Sequence, residues 1–133
     1  MKTAILKVSV AIVLIILSIV PSCWAAEKGY CFVVSSSMRE KVVFFTSVFS
    51  ARVSGAIYSQ EEFVADVELI RDIENQFQQY LKKLGLNRMD YLTEARVGYR
   101  SQAIAEERLA TEKSEFEGRG YTIKKTGSFT YAD

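Results

Sequence analysis

The chain has 133 residues with 17 basic and 16 acidic side chains, and its formal net charge is +1. This balance excludes the strong positive charge on which binding to nucleic acids usually depends. The sequence contains no histidine, which excludes Ser-His-Asp and Cys-His catalysis and zinc sites that need imidazole ligands.

Residues 1–25 have the pattern of an export signal. Two lysines precede an aliphatic run over residues 8–20, and small residues follow it. The run is about 13 residues long, whereas a helix that spans a membrane needs 18 or more. We expect export and cleavage after Ala25, which leaves residues 26–133 as a single domain in the periplasm or outside the cell. Without residues 1–25, the chain has 15 basic and 16 acidic residues.

Cys23 offers an alternative to cleavage after Ala25. The segment Val20-Pro21-Ser22-Cys23 resembles the bacterial lipoprotein cleavage pattern in its aliphatic first residue, its Ser and its Cys, although Pro21 fits it poorly. Lipidation of Cys23 would make the protein an anchored component of the envelope. Retention of residues 1–25 as a membrane anchor is a third possibility.

Two runs rich in β-branched and aromatic residues open the domain. Residues 29–36 and 41–51 predict two strands, and the short polar segment 37–40 between them predicts an antiparallel hairpin. Cys31 in the first run is interpreted as a small buried apolar residue.

A long amphipathic helix is predicted over residues 59–85. Its apolar side chains recur at spacings of three and four, which places them on one stripe. The stripe consists of Phe63, Val67, Ile70, Phe77, Tyr80, Leu81 and Leu84. Ser59 followed by Glu62 is a capping-box pattern, and Gly85 is suited to end the helix. Phe77 lies at the centre of the stripe, so we expect it to anchor the core.

The second half of the chain predicts a strand over residues 91–99, a helix over 101–117 and a final strand over 121–131. The order of elements is ββαβαβ. We therefore predict an α+β fold in which one mostly antiparallel or mixed four-stranded sheet and two helices form a two-layer sandwich.

One cluster of basic residues predicts an anion site. Arg96, Tyr99 and Arg100 precede Ser101, which is expected to begin the second helix, and a helix N-terminus with a guanidinium can hold a carboxylate or phosphate. The sequence has no glycine-rich phosphate motif there, and Arg119 is expected at the far end of that helix.

The acidic residues do not predict a catalytic or metal site. Glu62 and Asp66 share one helix face, but their position in the first turns is explained by the helix dipole. The acidic residues of the second predicted helix, over residues 101–117, alternate with basic ones, as on a solvated face. We therefore predict no metal, no cofactor and no enzymatic activity.

The hairpin has apolar residues on both faces, which leaves two interpretations. Either one helix covers each face of the sheet, or an apolar patch remains exposed and binds a partner. We expect such a patch to include Val33, Phe45 and Phe49.

The sequence thus favours an exported, non-catalytic binding or interaction protein. Its partner is expected to be another protein or a second copy of the chain, with no nucleic acid, and with membrane association only through Cys23 or a retained signal. The alternative activity is that of a small histidine-free hydrolase or lyase that uses carboxylates.

Overall fold

The computed structural model describes residues 26–127 and 129–132. The elements are β1 (Glu27–Ser37), β2 (Val42–Phe45), β3 (Phe49–Val53), α1 (Val67–Lys83), a 3-10 turn (Arg88–Asp90), β4 (Leu92–Tyr99), α2 (Gln102–Gly118) and β5 (Thr122–Lys125). The predicted export segment, with Cys23 and the cleavage site after Ala25, lies outside the described residues. Within the described ranges, no helix is long and apolar enough to span a membrane.

β1 is the central strand of the sheet. It pairs antiparallel with β4 along one edge. Along its other edge it pairs with β3 through its first half and with β2 through its second half. β5 extends the sheet beyond β2 and runs parallel to it. The predicted α+β class, mixed sheet and order of strands and helices are therefore confirmed.

The second predicted strand is divided into β2 and β3, which raises the number of strands from four to five. The division lies at residues 46–48, where Thr46 leaves the regular pairing. Its hydroxyl accepts a hydrogen bond from the Val33 amide at 2.9 Å, and its own amide donates to the Val33 carbonyl at 3.1 Å. The side chain of Thr46 thus replaces one backbone partner of β1.

The two helices lie on opposite faces of the sheet. Phe32 and Val34 of β1 pack in the same core cluster as Leu109 of α2, whereas Val33 packs with Phe77 of α1. Successive side chains of a strand point to opposite faces, so the sheet is the middle of three layers. The predicted two-layer arrangement is corrected accordingly, because each apolar face of the hairpin is covered by its own helix.

The predicted exposed patch of Val33, Phe45 and Phe49 is wrong. Val33 is 0% exposed and Phe45 is 2% exposed. Phe45 belongs to the cluster beneath α2, whereas Phe49 is half-buried against the cluster beneath α1. The irregular segment 46–48 changes the alternation, so two side chains expected on one face are separated by the sheet.

The first helix begins later than predicted. Asp66 is its N-cap, because the Asp66 carboxylate accepts a hydrogen bond from the Leu69 amide at 3.1 Å. Ser59 accepts hydrogen bonds from the amides that follow it, yet the chain then folds back. The Phe63 amide donates to the Gly98 carbonyl at 2.8 Å, and Glu62 forms a bridge with Tyr99. Residues 61–63 therefore pair with the end of β4 and do not form a first helical turn.

The other ends of the helices agree with the predictions. Gly85, with a φ of +78°, follows the last turn of α1. Ser101 caps α2 by accepting a hydrogen bond from the Ile104 amide at 3.1 Å. Phe77 and Cys31 are fully buried, as predicted.

The last strand is shorter than predicted. β5 ends at Lys125, and residues 129–132 pass to the α1 side of the sheet. Ile123 packs against the α2 cluster, whereas Phe129 and Tyr131 pack against the α1 cluster. We call residues 129–132 the C-terminal tail.

Candidate functional site

A cleft of about 360 Å³ opens between β1, β4 and the second half of α2. We call it the Arg96 cleft. Arg96 and Leu92 of β4 line one side, and Glu112 and Phe116 of α2 line the other. Arg119 also borders the cleft. The sequence placed Arg119 at the far end of the helix from the predicted cluster, yet it lies beside the same cleft as Arg96.

Arg96 joins the two sides of the cleft. Its Nη2 lies 2.8 Å from Glu94 Oε2, and its Nε donates to Glu112 Oε1 at 2.9 Å. Burial favours the neutral guanidine, but the hydrogen bonds and charges of Glu112 and Glu94 outweigh this effect and raise the pKa of Arg96. Arg96 therefore stays charged and holds both carboxylates in position.

Glu112 presents one carboxylate oxygen that is not satisfied within the part of the chain that the structure describes. Its Oε1 binds Arg96, while its buried Oε2 has no hydrogen-bond partner among residues 26–127 and 129–132. Buried polar atoms are nearly always paired in folded proteins. The Oε2 atom is thus a buried acceptor that lacks a donor among the described residues.

Tyr99 lies where the core meets the charges of the cleft. Its ring stacks on Phe32 with centroids 5.9 Å apart and an interplanar angle of 6°. Burial, followed by the charges of Glu112 and Glu62, raises the pKa of Tyr99, and Arg96 opposes this effect. Tyr99 is thus mainly a core residue, and the charges of Glu112 and Arg96 affect the pKa of its hydroxyl.

Arg100 does not join Arg96. Its Nη1 donates to the carbonyl oxygens of Ser59 at 3.3 Å and Gln60 at 3.4 Å. Its amide donates to the Glu61 carbonyl at 2.8 Å. The two predicted guanidinium groups therefore bind different segments of the protein, and the structure does not bring them together into an anion site.

Three exposed apolar side chains lie at the end of the Arg96 cleft. Met38 is 78% exposed, Met89 is 81% exposed and Leu92 is 65% exposed. They surround a shallow depression of about 430 Å³ that shares Met38 and Leu92 with the cleft. We call these three residues the Met patch.

Sequence reasoning missed the Met patch. Leu92 pairs with Ser36 near the end of β1, Met38 follows that strand, and Met89 lies in the turn before β4. The only signal was the occurrence of large apolar residues in segments that otherwise have the composition of turns.

Neither a metal-binding group nor similarity to a known protein indicates what the Arg96 cleft and the Met patch bind. Within the described residues, no group of three or more acidic or cysteine side chains is arranged to hold a metal ion. No protein-family model matches the chain, and no curated protein or solved structure is found to be similar to it. The functional interpretation therefore rests on the geometry of the cleft and the Met patch.

Proposed function

We propose that this chain is an exported, non-catalytic binding protein that holds a segment of another protein against the Met patch and the Arg96 cleft. The observation that carries the proposal is the grouping of Met38, Met89 and Leu92, three large apolar side chains that are each more than half exposed. Export is supported by the signal pattern of residues 1–25.

The Met patch supports a protein partner. Contiguous apolar surface bordered by polar residues is typical of protein interfaces. Methionine side chains are flexible and polarisable, so they adapt to differently shaped apolar groups. Arg39 and Asp90 border the depression, which provides the polar rim that interfaces usually have.

The Arg96 cleft adds a requirement on the partner. Glu112 Oε2 has no donor among the described residues, and a backbone amide, an ammonium or a guanidinium of the partner can supply one. A guanidinium already stacks on an aromatic ring on the same side of the cleft, where the Cζ of Arg119 lies 4.2 Å from the ring centroid of Phe116. The complementary segment therefore combines an apolar side chain for the Met patch with a donor directed at Glu112.

The arrangement of carboxylates supports binding over hydrolysis. Glu94 and Glu112 both contact the guanidinium of Arg96. A carboxylate pair that performs acid-base chemistry needs one group as the acid and the other free to act as base or nucleophile. A shared ion pair instead orients both groups, as a recognition surface requires.

The proposal is tested by capture from the exported fraction of the native cells, followed by titration of the purified partner. We expect the wild-type chain and a matched control, Ile57→Ser, to bind the same protein, because Ile57 is exposed but lies outside the cleft and the Met patch. The variant Met38→Ser/Met89→Ser should weaken binding at least about tenfold. Unchanged affinity in this variant would contradict the proposal.

A further inference from the structure

The C-terminal tail occupies a groove on the α1 side of the sheet, on the face opposite the Arg96 cleft. The ring of Phe129 lies 5.1 Å from that of Phe77 and 5.7 Å from that of Tyr80. The ring of Tyr131 lies 5.7 Å from that of Phe49. Two aromatic side chains of the tail, two positions apart, thus enter one aromatic surface.

α1 also contacts the tail through polar groups. Gln76 Nε2 donates to the Ala132 carbonyl at 2.9 Å, and the Ala132 amide donates to Gln76 Oε1 at 3.1 Å. The Tyr131 hydroxyl donates to Asp72 at 3.1 Å. The amide of Gln76 therefore recognises the backbone of an extended segment whatever its sequence, while Asp72 recognises a tyrosine.

The walls of this groove precede the tail in the chain and belong to β3 and α1. Phe77 shares a core cluster with Val33, Ile73 and Leu81, whereas the tail residues pack only at the margin of that cluster. The three hydrogen bonds between the tail and α1 described above are exposed. Exposed hydrogen bonds open more readily than those of a packed core.

The groove also offers more space than the tail fills. A depression of about 290 Å³ lies beside Phe129 and Thr130 and is bounded by Gln79 and Lys83 of α1. A segment with a larger side chain than that of Thr130 at its middle position has room here.

We propose that this groove, formed by Phe49, Asp72, Gln76, Phe77 and Tyr80, is a second binding site, for an extended segment of a partner protein with an aromatic residue followed two positions later by a tyrosine. The chain's own tail is the competing ligand in cis. A tethered segment has an effective concentration in the millimolar range, so the partner segment gains access only when the tail leaves. The tail therefore acts as a built-in competitor of this site.

The test uses the full chain with Phe129→Ala/Tyr131→Ala, which removes the aromatic contacts of the tail. The probe is a fluorescent peptide with the sequence of residues 126–133, TGSFTYAD, and binding is followed by fluorescence anisotropy. We expect the double variant to bind the peptide at least about tenfold more tightly than the wild type does, because the cis competitor is lost. A peptide with both aromatic residues replaced by alanine should not bind.

Gln76 provides the matched control. Adding Gln76→Ala to the double variant should abolish peptide binding, whereas adding Gln78→Ala should not, because Gln78 lies on the same helix but is not among the tail's hydrogen-bond partners. If the double variant does not fold by circular dichroism, Tyr131→Ala alone should still raise peptide affinity about threefold.

Two outcomes would overturn the proposal. Equal or absent peptide binding in a folded tail variant would show that the groove serves only to pack the chain's own end. A wild-type chain that dimerises with rising concentration and is returned to monomers by the peptide would show that copies exchange tails with each other in place of binding a partner segment.

Discussion

Tyr99 belongs to the core through its ring and to the charged cleft through its hydroxyl. An unfolded tyrosine titrates near pH 10, and Tyr99 in the folded chain has a higher pKa because it is buried and lies near Glu112 and Glu62. The folded state therefore binds this proton more tightly. The resulting contribution to stability is complete below about pH 10 and is lost as the pH rises through the folded pKa.

Glu112→Gln should lower the pKa of Tyr99. The change removes a negative charge that disfavours the tyrosinate, while burial and the charge of Glu62 remain. The measurement is an NMR pH titration of chain labelled at the tyrosine Cζ. Glu115→Gln serves as the control, because Glu115 is not among the groups that shift this pKa. A Tyr99 pKa that stays the same or rises in Glu112→Gln would contradict the assignment.

Phe77→Ala should strongly destabilise the fold. Phe77 is 0% exposed, and truncating a fully buried phenylalanine costs about 3–5 kcal/mol. Urea unfolding measures the change in the free energy of unfolding. Arg71→Ala on the exposed side of α1 should change it by less than about 0.5 kcal/mol. A loss below about 1 kcal/mol for Phe77→Ala would show that the centre of the stripe is not part of the core.

At the scale of elements, the start of α1 shows a competition between two capping residues. Both Ser59 and Asp66 accept hydrogen bonds from amides that follow them. The helix begins after Asp66 because Phe63 is buried and its amide is bound to Gly98 in β4. A long-range pairing thus decides between two locally acceptable starts.

Asp66→Ala should destabilise the protein by about 0.5–2 kcal/mol and reduce its helical signal, because an amide of the first turn loses its acceptor. Ser59→Ala should leave the helical signal unchanged, since Ser59 caps a turn that precedes the helix. Circular dichroism and urea unfolding of the two variants provide the comparison. A larger loss of helicity in Ser59→Ala would place the start of the helix at the earlier residue.

At the scale of the whole molecule, the sheet separates two cores. Ile73 packs in the cluster beneath α1, and Leu109 packs in the cluster beneath α2. The two proposed binding sites follow the same division, since the Arg96 cleft is bordered by α2 and the tail groove by α1. The two proposed sites therefore share no lining residue.

The separation of the cores predicts additive mutations. Ile73→Val should cost about 0.5–1.5 kcal/mol and Leu109→Ala about 2–5 kcal/mol. Because the two residues share no cluster, the double variant should match the sum within about 0.5 kcal/mol. Urea unfolding of the four chains of this cycle gives the coupling. A coupling above about 1 kcal/mol would indicate one shared core.

The type and order of the helices and strands could be predicted because these preferences depend on residues that are close in the chain. The burial of Phe77, the stop at Gly85 and the cap at Ser101 depend on residues within a few positions of one another, and all three agree with the structure. The ends of the predicted stripe do not agree, because Val67 and Leu84 are exposed and Phe63 precedes the helix. The α+β class and the order of strands and helices follow from the same short-range patterns.

Only tertiary contacts decided how the elements are arranged and where the candidate sites lie. Apolar residues on both faces of the hairpin fitted either a helix on each face or an exposed patch, and only the packing of Phe77 and Leu109 on opposite sides distinguishes the two. Arg96, Glu112 and Met38 are far apart in the chain and meet at the cleft because β4 pairs with β1 and α2 crosses them. By itself the sequence determined the α+β class and the order of the helices and strands, because those preferences are local. The division of the second strand, the start of α1, the cleft, the Met patch and the tail groove depend on pairings between distant residues, which no local pattern encodes.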